Sequence, residues 1–299
     1  MTIYHLLEDF CLYAKHTKGL TDDTIKRYRS TVSNYIRSSG ITKINEVDHS
    51  NIRTFFFEGR KDRGWKPATY RTYYMSLLVF FRWCKKQGYL EENYVKDLEL
   101  PKMRSTIKKK LTQQQVHTLL EYVYNYPYIH SFLKYRNHAI FSMFVFTGLR
   151  RNELLKLPYA HVDIQNKTLF VRGKGEKERL IPLNDTLVKS LERYIKARRK
   201  LGRTCPEFFV SANRNMGYTQ SGLRRLVALM KTTTGIEFTI HKLRHTFATM
   251  MLEGGCDIFT LAKLMGHSDI KTTQGYLFAT VEHTRKQITN HPLSEPMDW

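Results

Sequence analysis

Over the first hundred positions, apolar residues recur at helical spacing between polar, glycine-marked breaks, which predicts a small four-helix bundle. Thr21, followed by Asp22 and Asp23, marks a helix N-terminus, and Gly40 closes the helix that runs to Ser39. Asp48 is placed to cap the next helix, which ends near Gly64. Pro67 suits a first helical turn and opens a long helix through Leu77, Phe80, Phe81 and Cys84 to Gly88. A further helix precedes Gly19.

The pattern then breaks. Pro101 blocks helix continuation, and Lys102, Arg104, Lys108, Lys109 and Lys110 follow without an acid among them. This predicts a domain 1–100, a basic linker 101–110, a second domain 111–290 and a tail 291–299. Thr112 and Gln115 have the spacing of a capping box. Helices are expected at 112–125 and 134–147, then two short strands, Thr168 to Val171 and Arg179 to Leu183, around Gly173-Lys174-Gly175-Glu176. More helices fill the remainder, with Gly202, Gly235, Gly254 and Gly266 as breaks. The expected fold class is therefore mainly α with a small β-sheet.

Charge changes the picture more than composition does. The 299 residues carry 49 Lys+Arg and 27 Asp+Glu, a net +22, while 41% hydrophobic residues suffice for a packed core. Up to Ile107 there are 19 basic and 12 acidic residues, which leaves 30 and 15 beyond it. A field of that sign selects polyanions, and double-stranded DNA is the expected partner. The longest candidate for a membrane span, Phe141 to Phe146, is far short of the ~20 residues needed. No secretory leader is legible at the N-terminus, so a cytoplasmic, nucleoid-associated protein is expected. Cys11, Cys84, Cys205 and Cys256 are scattered without a C-x-x-C pair, which predicts reduced thiols and no zinc site.

Candidate chemistry lies in the second domain. His241 and His245 stand at i, i+4, a spacing zinc proteases use, but Lys242 replaces the glutamate they need and Arg244 would oppose a metal. A phosphate suits Arg244 and His241 better. The apolar stripe of this segment is expected through Leu243, Phe247, Met250 and Met251. Arg150 follows Thr147-Gly148-Leu149, and Glu153 three residues on is placed to hold its guanidinium. Lys174 lies between two glycines, His267 follows Gly266, and Tyr276 comes nine residues later. In the first domain, Lys26, Arg27 and Arg71, with Arg29, Tyr70, Tyr73 and Tyr74 beside them, are candidates to face DNA, as are Lys108 and Lys109 in the linker.

Taken together, T-G-L-R-x-x-E, G-K-G-E-K-E-R, H-K-L-R-H and L-M-G-H-S-D followed by Tyr276 resemble the tyrosine recombinase (phage integrase) family in order and spacing. The likeness spans nearly the whole chain, and the helical N-terminal region looks like the family's core-binding domain. It is similar to compact Xer-like members, with no preceding arm-binding module expected. The resemblance implies a mixed α/β catalytic domain that closes with the first domain as a C-shaped clamp on DNA. It implies Tyr276 as the nucleophile that forms a 3′-phosphotyrosine, Arg150 and Arg244 as the clamp on the non-bridging oxygens, and Lys174 as general acid. It implies His241 and His267 near proton transfer and the phosphate, with their division open, and no metal or other cofactor. A target with inverted half-sites, a Holliday junction and a homo-tetramer, or a hetero-tetramer with a paralogue, follow from the same likeness. In related enzymes the chain end docks on a neighbouring subunit, which makes Leu293 and Trp299 candidate anchors. Gly275 and Leu277-Phe278 depart from the family's usual residues. The alternatives are DNA relaxation of the type IB topoisomerase kind and a non-catalytic DNA-binding regulator.

Overall fold

A computed structural model describes residues 1–103, 110–173, 178–267 and 273. Contacts divide the chain into two compact units, Met1–Thr106 and Ile107–Trp299.

The first unit is built from α1 (Ile3–His16), α2 (Asp22–Ser39), α3 (His49–Lys61) and α4 (Pro67–Lys86). Its caps follow local chemistry. Asp48 accepts from the Asn51 amide at 2.8 Å, Pro67 opens α4, and α2 ends at left-handed Gly40. Thr21 precedes α2, but its hydroxyl pairs with the Thr24 hydroxyl and does not cap a backbone amide. One face of each helix is apolar, and these faces meet in a core rich in aromatic rings. Phe10 packs edge-on against Tyr28 and Phe80, and Tyr35 against Phe55 and Phe81.

Several expected DNA-facing residues are engaged here instead. Arg29 forms a two-pronged ion pair with Glu8, Tyr70 is buried, and Tyr73 stacks on Trp65 at 4.1 Å and accepts from Asn34. Packing has claimed the tyrosines. Lys26, Arg27 and Arg71 are exposed, with Arg27 over the Tyr28 ring and Arg71 donating to the Pro101 carbonyl at 3.3 Å.

The second unit contains α5 (Gln113–Asn125), α6 (Ser131–Thr147), α7 (Arg151–Leu155), β1 (Val162–Asp163), β2 (Thr168–Arg172), β3 (Glu178–Pro182), α8 (Asp185–Lys200), α9 (Gln220–Thr234), α10 (Ile240–Glu253) and α11 (Ile258–Met265). The Thr112–Gln115 capping box opens α5. At its centre lies α6, buried on nearly every side and packed by α5, α8 and α10. It starts three residues before the expected position, because Phe132 already packs into the core. The strands form an antiparallel sheet in the order β1-β2-β3, with Leu169 opposite Ile181 and Val171 opposite Arg179. The short strand β1 carried no alternation long enough to announce it.

The stretch between α8 and α9 is irregular instead of helical. It is pinned by arginines: Arg198 donates to the carbonyls of Cys205, Glu207 and Phe208 at 2.6–2.8 Å, and Arg136 donates to Val210 at 3.2 Å. At the end of α10 it is Gly255, not Gly254, that takes a positive φ. Among the described residues no helix is long and apolar enough to cross a membrane.

Candidate active site

The site begins where α6 ends. Gly148 has φ +60, and the Phe247 ring lies against the space where its Cβ would stand. Only glycine satisfies both conditions. The chain turns there, buries Leu149 and brings in Arg150 as the N-cap of α7. Glu153, one turn later, accepts from the Arg150 amide at 2.8 Å and from its guanidinium at 2.9 Å. The carboxylate thus caps the helix and aims the arginine together.

Helix α10 brings the second cation. Leu243 through Thr249 are all buried, whereas Met250 and Met251 are only half-buried, so the apolar stripe expected from the sequence is too narrow. This helix is enclosed on most of its circumference, which sequestrates Arg244 at 6% exposure. Its guanidinium donates to the Gly148 carbonyl at 2.5 Å and to Met265 at 2.6 Å. His241, in the first turn, is exposed and has no hydrogen-bond partner among the described residues.

The meeting point is the C-terminus of α11. A helix leaves its last carbonyls without intrahelical donors, and the dipole makes that end electronegative. Here three consecutive carbonyls each receive an arginine. Leu264 accepts from Arg179 at 2.8 Å, Met265 from Arg244, and Gly266 from Arg150 at 3.0 Å. Gly266 has φ +62, and a Cβ on it would lie 2.8 Å from the Arg179 guanidinium. Two of these guanidiniums, Arg150 and Arg179, share the Glu153 carboxylate, and Arg244 stands on the carbonyl between theirs.

Arg179 was not singled out from the sequence. It occupies an inward position of β3, in phase with Ile181 and opposite Val171, while Leu180 points outward at 61% exposure. Both its terminal nitrogens donate to Glu153, at 3.1 and 2.9 Å. An arginine in phase with the buried side of a short strand was the available signal. Burial alone would raise the Glu153 pKa; hydrogen bonds from Arg179 and the Arg150 amide overcome this and bring it to about 2.

His267 follows the glycine turn. Its Nε2 lies 3.0 Å from an Arg244 nitrogen, and since a guanidinium only donates, Nε2 is the acceptor. The ring proton therefore sits on Nδ1, 2.8 Å from the hydroxyl of buried Thr273. Burial first, then Arg244, Arg150 and Arg179, pull the His267 pKa down to about 4. The imidazole is neutral at physiological pH. Nothing in the sequence signalled Thr273.

Arg150, Glu153, Arg244 and His267 are thus brought together, with His241 at the start of α10. Lys108, Lys109, Lys174, Gly275, Tyr276, Leu277, Phe278, Leu293 and Trp299 lie outside the described residues. Chemically, the described part offers two guanidiniums held on adjacent carbonyls and a neutral imidazole bonded to one of them, donors of the kind that suit a tetrahedral oxyanion.

Comparison with known proteins finds relatives along most of the chain. The phage integrase family profile matches residues 109–283, and that of the phage integrase N-terminal SAM-like domain matches residues 6–91. Tyrosine recombinase XerD of Listeria innocua is 33% identical over 286 residues, covering 92% of this chain and 94% of its own. Tyrosine recombinase XerC of Oceanobacillus iheyensis is 30% identical over 302 residues, covering 96% and 95%. The crystal structure of XerH site-specific recombinase bound to palindromic difH substrate, a post-cleavage complex, has a TM-score of 0.74 at 20% identity over 95% of this chain and 83% of that one, a likeness in fold.

Proposed function

The chain belongs to the phage integrase family, and from that premise we propose how its own residues cut and rejoin DNA. It is a site-specific recombinase that works by tyrosine chemistry. The Tyr276 phenol attacks a backbone phosphorus, its oxygen forms the new P–O bond, and the bond to the 5′-oxygen breaks. Lys174 supplies the proton that the leaving oxygen needs. The product is a 3′-phosphotyrosine and a free 5′-hydroxyl, and attack by a 5′-hydroxyl reverses the step without a further energy source. Arg150 and Arg244 hold the non-bridging oxygens, and their charge opposes what accumulates on the phosphoryl group; each such donor contributes ~3–4 kcal/mol at the transition state.

Keeping a tyrosine ionised at neutral pH would cost about 4 kcal/mol, so the proton leaves during attack. Since His267 Nε2 already accepts from Arg244, His241 is the imidazole open to take that proton. The observation that carries this reading is the pair of guanidiniums fixed on the neighbouring Met265 and Gly266 carbonyls.

Around this chemistry, domain 1–100 and catalytic domain 111–290 close as a C-shaped clamp on duplex DNA, and the basic linker 101–110 crosses the phosphate backbone. Lys26, Arg27, Arg71, Lys108 and Lys109 make phosphate contacts. Four copies, or two of this chain with two of a paralogue, act on two duplexes with inverted half-sites through a Holliday junction. The tail 291–299 carries the subunit anchors Leu293 and Trp299, and the reaction takes place in the cytoplasm on the nucleoid. The test has two stages. DNA trapped covalently by the protein in cells is sequenced to identify the target, and a supercoiled plasmid with two copies of it is then incubated with the pure chain. Recombinant circles are expected, and relaxed circles alone would assign DNA relaxation instead. Tyr276→Phe should bind the target and trap none; covalent trapping by that variant would move the nucleophile to another residue.

A further inference from the structure

We propose that Arg179 is a positioning residue for cleavage: acting through Glu153, it sets the aim of Arg150 without touching the phosphate. The proposal rests on the reading of the site as a phosphodiester-cleaving centre.

Three observations converge on it. The Arg179 side chain is 5% exposed and its fork is committed, two nitrogens to the two Glu153 oxygens and Nε to the Leu264 carbonyl. Glu153 Oε1 is shared, accepting from Arg179 at 3.1 Å and from Arg150 at 2.9 Å, so the carboxylate is a bridge between the two guanidiniums. Gly266, whose carbonyl receives Arg150, leaves no room for a Cβ beside Arg179. One buried fork therefore ties together strand β3, helix α7 and the end of helix α11.

The electrostatic reason is direct. Arg150 and Arg244 must stand close enough to share one phosphate, and like charges in a poorly solvated space repel. Glu153 relieves that repulsion only while ionised, yet its side chain is 6% exposed and burial favours its protonated form. The groups that face it are Arg150 on α7 and Arg179 on β3, with His267 nearby and bonded to Arg244; Arg179 supplies two of the four hydrogen bonds to the anion. β3 also begins four residues after Lys174, so the anchor of the strand lies close along the chain to the proposed general acid.

The test uses the full chain and a nicked suicide duplex carrying the target, with covalent complex formation measured in single turnover across pH. Wild type, Arg179→Met, Arg179→Lys, Glu153→Gln and the Arg179→Met/Glu153→Gln double variant are compared. Arg179→Met is expected to slow cleavage about 10²-fold with duplex affinity unchanged. Its acid limb should move to higher pH, because Glu153 then protonates more readily, and the limb should disappear in the double variant. In the Glu153→Gln background the loss of Arg179 should add nothing. Arg179→Lys, which keeps a charge but not the fork, should fall between wild type and Arg179→Met. Should Arg179→Met fail to fold by thermal melting, Arg179→Lys with and without Glu153→Gln carries the same comparison.

Wild-type rate and pH profile in the Arg179 variants would overturn the proposal. So would losses that multiply with that of Glu153→Gln, since Arg179 would then act on the phosphate itself. A wild-type chain that never becomes linked to DNA through Tyr276 would instead defeat the reading of the site, which keeps the two failures apart.

Discussion

The two units bury arginine very differently. Among the described residues, the buried polar side chains of the first unit are Thr31 and Ser76, small hydroxyls on helices. Its best-defined guanidinium ion pair, Arg29 with Glu8, is about half exposed. The second unit buries Arg136, Arg179, Arg198 and Arg244, each aimed at main-chain carbonyls. Two of these pin an irregular segment and two meet at the end of α11. Apolar and aromatic packing is enough to hold helices together, as in the first unit. A phosphate receptor needs cations kept out of water, and only a backbone already folded around them supplies the carbonyls that make such burial tolerable.

This contrast can be broken or sharpened by experiment, starting with its apolar side. Phe80→Ala removes a fully buried ring from the first unit and should cost about 4 kcal/mol. Urea unfolding followed by the fluorescence of Trp65 and Trp83, both in that unit, reads the loss. Arg244→Met keeps volume and removes charge, and should slow cleavage of a nicked substrate by roughly 10²–10³-fold while DNA binding persists. Arg198→Met leaves the Cys205 and Glu207 carbonyls unmatched, while that of Phe208 keeps the Tyr194 hydroxyl, and should cost about 3 kcal/mol in thermal or urea unfolding. If its cleavage rate fell as far as that of Arg244→Met, the division between segment-pinning and site-building arginines would fail.

A smaller effect comes from two half-buried histidines of the second unit. His267 and His138 both have their pKa pulled down to about 4, by burial first, then by Arg244, Arg150 and Arg179 at His267, and by Arg193 and Lys134 at His138. In the unfolded chain both titrate near the ordinary imidazole value of 6.5. Below that value the unfolded state binds more protons than the folded one. The stability they contribute is therefore present above 6.5 and lost as pH falls to about 4, where the loss is complete. Urea midpoints measured across that interval should fall with acid, and His138→Gln should flatten the slope. The smallest effect belongs to the exposed pair: Glu8→Gln should change stability by less than about 1 kcal/mol.

Caps and punctuation were legible because they are local. Asp48, Pro67, Gly40 and the Thr112–Gln115 box act within one turn of chain, and each does so where its neighbours in sequence place it. Arg150 and Glu153 were readable for the same reason, being one helical turn apart. Arg179 was not, since its partners lie 26 and 85 residues away. The burial of α10 was likewise hidden: its composition shows a stripe, but packing against α6 and α11 encloses most of its circumference. Tyr70 and Tyr73 carried the opposite lesson, because aromatic residues beside basic ones suit either nucleic acid or a core, and only their neighbours in space decide.

The sequence by itself determined the helical architecture, the two-strand signal, the excess positive charge and the family, all set by spacing along the chain and by residue type. The tertiary structure decided that three arginines from separate elements share the end of one helix, that Glu153 bridges two of them, and that His267 is a neutral acceptor. Those outcomes depend on which carbonyls and carboxylates are left without water once the chain has closed, a property of the assembled interior that no stretch of sequence carries alone.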